Sequence, residues 1–318
     1  MGVEFDHLFA SEVHPQYRKV LEATHPDVMT LFSDMTMREP RELHPFRGHV
    51  TCYTSGFPCQ PYSKIGSQAG ERDDRGTVVW HVVLAISELL PDMFILENVK
   101  DYAESKFQKQ FADTLASLRS IGGNMYNVDW KVLDSHNFGV PARRERLYCV
   151  GVRRDRQRAS WQWPESQPPV SLATILDPVT PGSTPASIDN LSATARRNIN
   201  QGVDAIVAKF PDVNPMSQPW VIDIRNSPKF GANVALDKFP TITKSRAKSC
   251  GYLLLQNYRL VTEDELLRAQ GFRPTDVKLP EHRIMPKNIR AEMSGNAFTG
   301  SVSQCLFKML MPAIGIDV

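Results

Sequence analysis

Between Asp6 and Val152, short apolar runs of strand type alternate with stretches of helical periodicity, and this alternation constrains the fold more than any other feature. Asp6 to Ser11 (DHLFAS) reads as a strand, and His14 to Thr24 as a helix that Pro26 stops. Met29 to Ser33 and Val50 to Thr54 are the next strands. Val78 to Leu90 has a helical period, and Pro91 introduces a short buried strand from Met93 to Leu96. Phe107 to Ser120 is a helix closed by Gly122-Gly123, and Tyr126 to Leu133 and Arg146 to Val152 follow as two strands. The fold class is therefore α/β.

Past Arg153 the pattern changes. Arg154 to about Lys238 is rich in Pro, Ser, Asn and Asp, with little periodicity, and reads as a loosely built second domain or a long insertion. Regularity returns at Thr241 to Thr243 and Tyr252 to Leu255, then in helices at Glu263 to Gln270 and Ser301 to Leu310. The chain has 318 residues, with 37 Lys plus Arg against 35 Asp plus Glu. A balance of +2 excludes a histone-like polycation but leaves room for a local basic surface. No apolar run is long enough to span a bilayer and no signal core opens the chain, so a soluble, intracellular protein is expected.

The five cysteines show no zinc-ligand spacing, and no metal site is expected. Cys52 and Cys149 lie in apolar, strand-like runs and read as small buried hydrophobes. Cys59 differs. It follows the strand Val50 to Thr54 in a Gly56-Phe57-Pro58 turn, at a strand end where open α/β sheets place their sites. Glu97 follows the apolar strand Met93 to Leu96, where a carboxylate is costly unless it has a partner or a task. Arg144 and Arg146 alternate just ahead of another strand and would share one face. A thiolate that adds to C6 of cytosine turns C5 into a carbon nucleophile. A carboxyl group at N3 and the amine, with a guanidinium at O2, would support that step. Other readings stay open: a structural thiol or Cys-His hydrolase for Cys59, helix capping for Glu12 and Asp34, a solvated strand edge for the two arginines, and a turn for Asn296.

Six segments carry a resemblance to the cytosine-C5 DNA methyltransferase family, in family order: GFPCQPYS (56–63), RGT (75–77), ENVK (97–100), NFGVPARRERLY (137–148), RLVTEDELLRAQGF (259–272) and SGNAFTGSV (294–302). The resemblance implies a Rossmann-like methyltransferase sheet with a small, irregular target-recognition domain. It divides the chain into a catalytic core at 1–153, a recognition domain at 154–240, and a segment at 241–318 returning to the core. Cys59 then resembles the nucleophile, Glu97 the carboxyl that grips cytosine, Arg146 the guanidinium at O2, and Arg144 its structural and DNA-facing companion. Glu12, Val13, Asp34, Met35, Pro58, Val78, Asn296 and Ala297 resemble the contacts to S-adenosylmethionine. The implied substrate is double-stranded DNA with its target cytosine flipped out, acted on by a monomer. RNA is the runner-up, because a sister branch modifies tRNA; a silent nucleic-acid-binding relative is the third possibility. The implied location is the nucleus in a eukaryote, or the cytoplasm and nucleoid in a bacterium.

Two departures from the family pattern matter. Ala142 stands where the family usually has Gln. The family also opens with a strand and a Phe-x-Gly-x-Gly turn ahead of the acid matched by Glu12, whereas only eleven residues precede Glu12 here, without such a turn. The strands ending at Glu12 and leading to Cys59 would then lack the ladder partner between them. Weak or absent cofactor binding by these 318 residues is the expectation.

Overall fold

The computed structural model describes residues 4–58, 74–104, 107–178, 191–227, 231–282 and 284–318. The chain separates into two compact units, one of residues 1–133, 145–165 and 303–318, the other of 134–144 and 166–302. Residues 241–302 thus group with the second unit, a different division from the one the family pattern suggests. Among the described residues no helix is long and apolar enough to cross a membrane.

In the first unit the chain runs β1 (Phe9–Ser11), α1 (Pro15–Thr24), β2 (Thr30–Phe32), β3 (Cys52–Gly56), α2 (Val78–Leu89), β4 (Met93–Val99), α3 (Gln108–Ser120), β5 (Tyr126–Asp134) and β6 (Glu145–Arg153). The main sheet has the order β3-β4-β6-β5, with β3 and β4 parallel and β6 antiparallel to β4. Two ladders satisfy the backbone of β4, and all seven of its residues are buried. Those ladders carry the strand past Leu96, where its apolar run ends, so Glu97 lies within β4 rather than after it. Helix α2 buries Val79, Val82, Ile86 and Leu89 completely, each worth roughly 2 kcal/mol before conformational entropy is set against it. It stops at Leu90, whose φ of 50° is left-handed, and Pro91 follows. On β6, Gly151 pairs with Phe94, and a Cβ there would lie 2.2 Å from the ring.

Strands β1 and β2 form a separate parallel ladder, Ser11 beside Phe32. Among the described residues no strand joins that ladder to β3. Aromatic rings make the connection instead: Phe9 lies 5.1 Å from Phe46 and 6.3 Å from Tyr53, centroid to centroid. The side of β3 left without a ladder shows in its burial. Thr54 and Gly56 are exposed, whereas nothing on β4 is.

The second unit contains α4 (Ala193–Lys209), β7 (Trp220–Asp223), β8 (Val234–Leu236), α5 (Lys244–Lys248), β9 (Tyr252–Leu254), β10 (Arg259–Leu260), α6 (Glu263–Ala269) and α7 (Ile289–Ser294). Helix α8 (Gly300–Ala313) begins in this unit and ends in the first. The sheet, in the order β10-β9-β7-β8, is antiparallel throughout. The stretch read as irregular thus holds the 17-residue helix α4. Its period is carried partly by small residues, Ala195 and Gly202, which alternate with Ile199 and Ile206 and make the apolar face faint in the sequence. The Ser192 hydroxyl accepts from Ala195 N–H at 3.2 Å and caps it. Thr241 to Thr243, where regularity was expected to return, have no regular secondary structure and lead into α5. On the sheet, Asp223 is buried and forms an ion pair with Arg246.

Candidate active site

The site is assembled at the carboxyl ends of β3 and β4. Parallel register places Gly56 beside Glu97, and antiparallel register places Tyr148 beside Glu97 and Arg146 beside Val99. Side chains two residues apart on a strand share a face, so Arg146 reaches back along the sheet to Glu97. Its Nε lies 3.1 Å from Glu97 Oε1, and the two side chains are 13% and 7% exposed. That contact is an ion pair by distance rather than a hydrogen bond; Arg146 Nη1 donates to the Glu145 carbonyl at 2.7 Å. The cost of holding a carboxylate in a buried strand is thus met by a guanidinium from the neighbouring strand.

Phe57 and Pro58 continue from β3; Cys59 lies outside the described residues. What leads to it is nevertheless fixed. Asn98 Nδ2 donates to the Phe57 carbonyl at 3.3 Å, and Asn98 Oδ1 accepts from Val99 N–H at 2.8 Å. Asn98 is the second residue of the ENVK motif, and a buried amide beside a catalytic-type carboxyl is a usable signal in a sequence. Lys100 adds a tie to β6 through Glu145 Oε2 at 2.8 Å, and that hydrogen bond raises the lysine's pKa.

The remaining thiols are poor nucleophiles. Burial pushes the pKa of Cys52 and of Cys149 up to about 12, that of Cys250 to about 11, and raises that of Cys305. All four stay protonated at neutral pH, as the reading of Cys52 and Cys149 as small apolar groups requires.

Arg144 does not share a strand face with Arg146, as the alternation had suggested. It precedes β6 and is 4% exposed in the second unit. Its guanidinium donates to the carbonyls of Ile242 at 2.9 Å, Gly295 at 3.2 Å and Ala297 at 3.1 Å. These are bonds of position: they fix the 295–297 loop, including Asn296, to the segment 134–144. Ala142 is also spoken for. It is buried, bridges Phe239, and its carbonyl accepts from Ser135 Oγ at 2.5 Å, so a longer side chain would have to displace core.

Glu12 and Asp34 follow neighbouring parallel strands, just past the Ser11–Phe32 pair. Glu12 Oε1 accepts from His14 N–H at 2.7 Å, and Asp34 Oδ1 accepts from Thr36 N–H and Oγ1, both at 2.8 Å. Each keeps its second oxygen without a partner among the described residues. Glu12 thus ties down the backbone just ahead of α1 and Asp34 closes a turn, so neither is the N-cap residue of a helix. Val13 is exposed, while Met35 and Val78 pack in or against the core of this unit. No cluster of His, Cys, Asp and Glu among the described residues could hold a metal ion.

The family model for C-5 cytosine-specific DNA methylases matches residues 1–311. The chain belongs to this family. Among curated proteins, it is 31% identical to the type II methyltransferase M.BsuFI of Bacillus subtilis over 72% of this chain and 51% of the relative. It is 26% identical to M.HpaII of Haemophilus parainfluenzae over 97% of this chain and 84% of the relative. The chain spans about half the length, or less, of the first curated relatives it matches. Solved structures show the same methylase fold. A DNA modification methyltransferase, described as putative and encoded within an E. coli prophage, aligns with a TM-score of 0.65 at 16% identity, covering 96% of this chain and 92% of that one. The S. pombe Dnmt2 methyltransferase aligns with a TM-score of 0.57 at 14% identity, covering 97% and 91%.

Proposed function

We propose that this chain is a DNA cytosine-C5 methyltransferase working through a covalent adduct at Cys59. The observation that supports this most is the register that sets Gly56, three residues before Cys59, beside Glu97, with Arg146 paired to that carboxyl. The Cys59 thiolate adds to C6 of a cytosine turned out of the duplex, and the electron pair moves to C5. Glu97 engages N3 and the exocyclic amine as charge builds there, while Arg146 holds O2. Loss of the C5 proton after methylation lets the C6–S bond break and returns the thiolate. Asn98 and Lys100 are positioning residues that anchor the approach to Cys59.

Bound S-adenosylmethionine supplies the electrophilic methyl group. The free oxygens of Glu12 and Asp34, on adjacent strand ends, suit ribose hydroxyls and an adenine amine, so the adenosine half of that molecule fits. For its amino-acid end the candidates are Asn296 and Ala297. Double-stranded DNA is the proposed partner of a monomeric enzyme, read by the unit that carries α4 and β7–β10.

The test is covalent trapping. A duplex containing 5-fluorocytosine, incubated with the protein and S-adenosylmethionine, should yield an adduct mapping to Cys59 by mass spectrometry and absent from Cys59→Ser. An adduct with RNA alone would move the substrate to RNA, and no adduct with either would favour the silent relative.

A further inference from the structure

The first unit carries a second cleft, at the other end of its sheet. It has a volume of about 490 Å³, within the range that holds small organic ligands. Arg119, Tyr126, Asp129, Arg154 and Trp161 are among its lining residues. Register places it well away from the candidate active site. Met93 pairs with Val152 at the start of β4, and Arg154 lies two residues beyond. Six residues at about 3.3 Å each separate that level from Glu97, roughly 20 Å.

The two guanidiniums of the cleft differ from the ion-paired arginines of this unit. Arg47, Arg146, Arg153 and Arg156 each lie within ion-pair distance of a carboxylate. Arg119 and Arg154 have no such partner among the described residues and donate to backbone carbonyls instead, Arg119 to Val128 at 3.4 Å and Arg154 to Asn124 at 3.0 Å. One bond each steers the fork and leaves most of its five N–H donors unused. Among the described lining residues the one carboxylate is Asp129, whose Oδ1 accepts from Trp130 N–H and whose Oδ2 accepts from Trp163 Nε1, both at 2.8 Å. That second bond pins Trp163, which meets Trp161 edge-on at 5.3 Å between centroids. Trp161 is therefore braced in the cleft wall. The pair Asn127 and Gln157, bonded at 2.6 Å, adds an amide surface.

We infer that this cleft binds a nucleotide, either free or as one unit of a single strand, with its phosphate on Arg119 and Arg154 and its base against Trp161. Paired guanidiniums match a phosphate's fork of oxygens, and an indole face accepts any base. A duplex keeps its bases stacked and would reach the arginines only with its backbone.

Tryptophan fluorescence of the full chain isolates the cleft, because the difference between wild type and Trp161→Phe reports Trp161 alone. Titration with thymidine 5′-monophosphate and with an eight-residue oligo-dT should quench that component. Arg119→Ala combined with Arg154→Ala should weaken the quenching at least tenfold and reduce the salt dependence of that quenching, while leaving adduct formation at Cys59 unchanged. Quenching by the monophosphate alone identifies a free nucleotide as the occupant, and tighter binding of the oligomer identifies a strand. The inference is overturned if neither ligand quenches Trp161 or if the double variant binds as wild type does. Displacement by inorganic phosphate at equal concentration would also overturn it, by making the cleft a simple anion site.

Discussion

Replacing Arg146 with alanine isolates the electrostatics on which the site depends. Its Nε is 3.1 Å from Glu97 Oε1, and the carboxylate side chain is 7% exposed, so water cannot replace the lost partner. Breaking a buried pair from one side typically costs about 3–5 kcal/mol, because the remaining charge stays desolvated. Removing both charges while keeping volume, as in Glu97→Gln with Arg146→Met, should cost much less. Urea unfolding at pH 8 should therefore show Arg146→Ala several kcal/mol below wild type and the double variant close to it. Both variants should fail to trap 5-fluorocytosine. The double variant matters most here, since it would be folded yet inactive. If Arg146→Ala keeps wild-type stability at pH 8, Arg146 does not neutralise Glu97 and the reasoning fails.

Gly151→Ala should destabilise by about 1–3 kcal/mol or more, because its Cβ would sit 2.2 Å from the Phe94 ring, and Phe94→Leu in the same chain should restore part of that loss in urea melts. Burial pushes the Cys149 thiol up to about 12 from an ordinary 9.0, so above pH 9 the unfolded chain releases its proton first. Stability then falls as pH rises from about 9 toward 12, by about 1.4 kcal/mol per pH unit for this thiol, and Cys149→Ala should flatten that share of the slope. Calorimetry of this chain with S-adenosylmethionine should show binding that Glu12→Ala weakens at least tenfold; equal affinity in the two proteins would refute a role for Glu12.

Most of the first unit was legible because its strands and helices each carry their own signal. The apolar run before Glu97 and the Gly-Phe-Pro turn after β3 pointed to one sheet edge, and the register puts them there. The end of β4 was misplaced by its polar residues, since the ladders that carry Glu97 and Asn98 come from distant segments. Arg144 shows the same limit from the other side. Its spacing from Arg146 suggested a shared face, but its three carbonyl partners lie about 100 to 150 residues away in sequence. Helix α4 was hidden by glycine and alanine on its buried face, where tight packing leaves little hydrophobic mass to read.

Hydrogen-bonded ladders pass order from residue to residue; ring contacts do not. Because the β1–β2 ladder meets the main sheet through Phe9, Phe46 and Tyr53, the strand ends bearing Glu12 and Asp34 can breathe without loosening those that bear Gly56 and Glu97. Amide exchange should be correspondingly uneven, fast at Phe9 to Ser11 and slow along Met93 to Val99. The groups proposed for the methyl donor and those proposed for the base thus stand on supports with separate opening energies, and a backbone stitched between them would slow exchange in both.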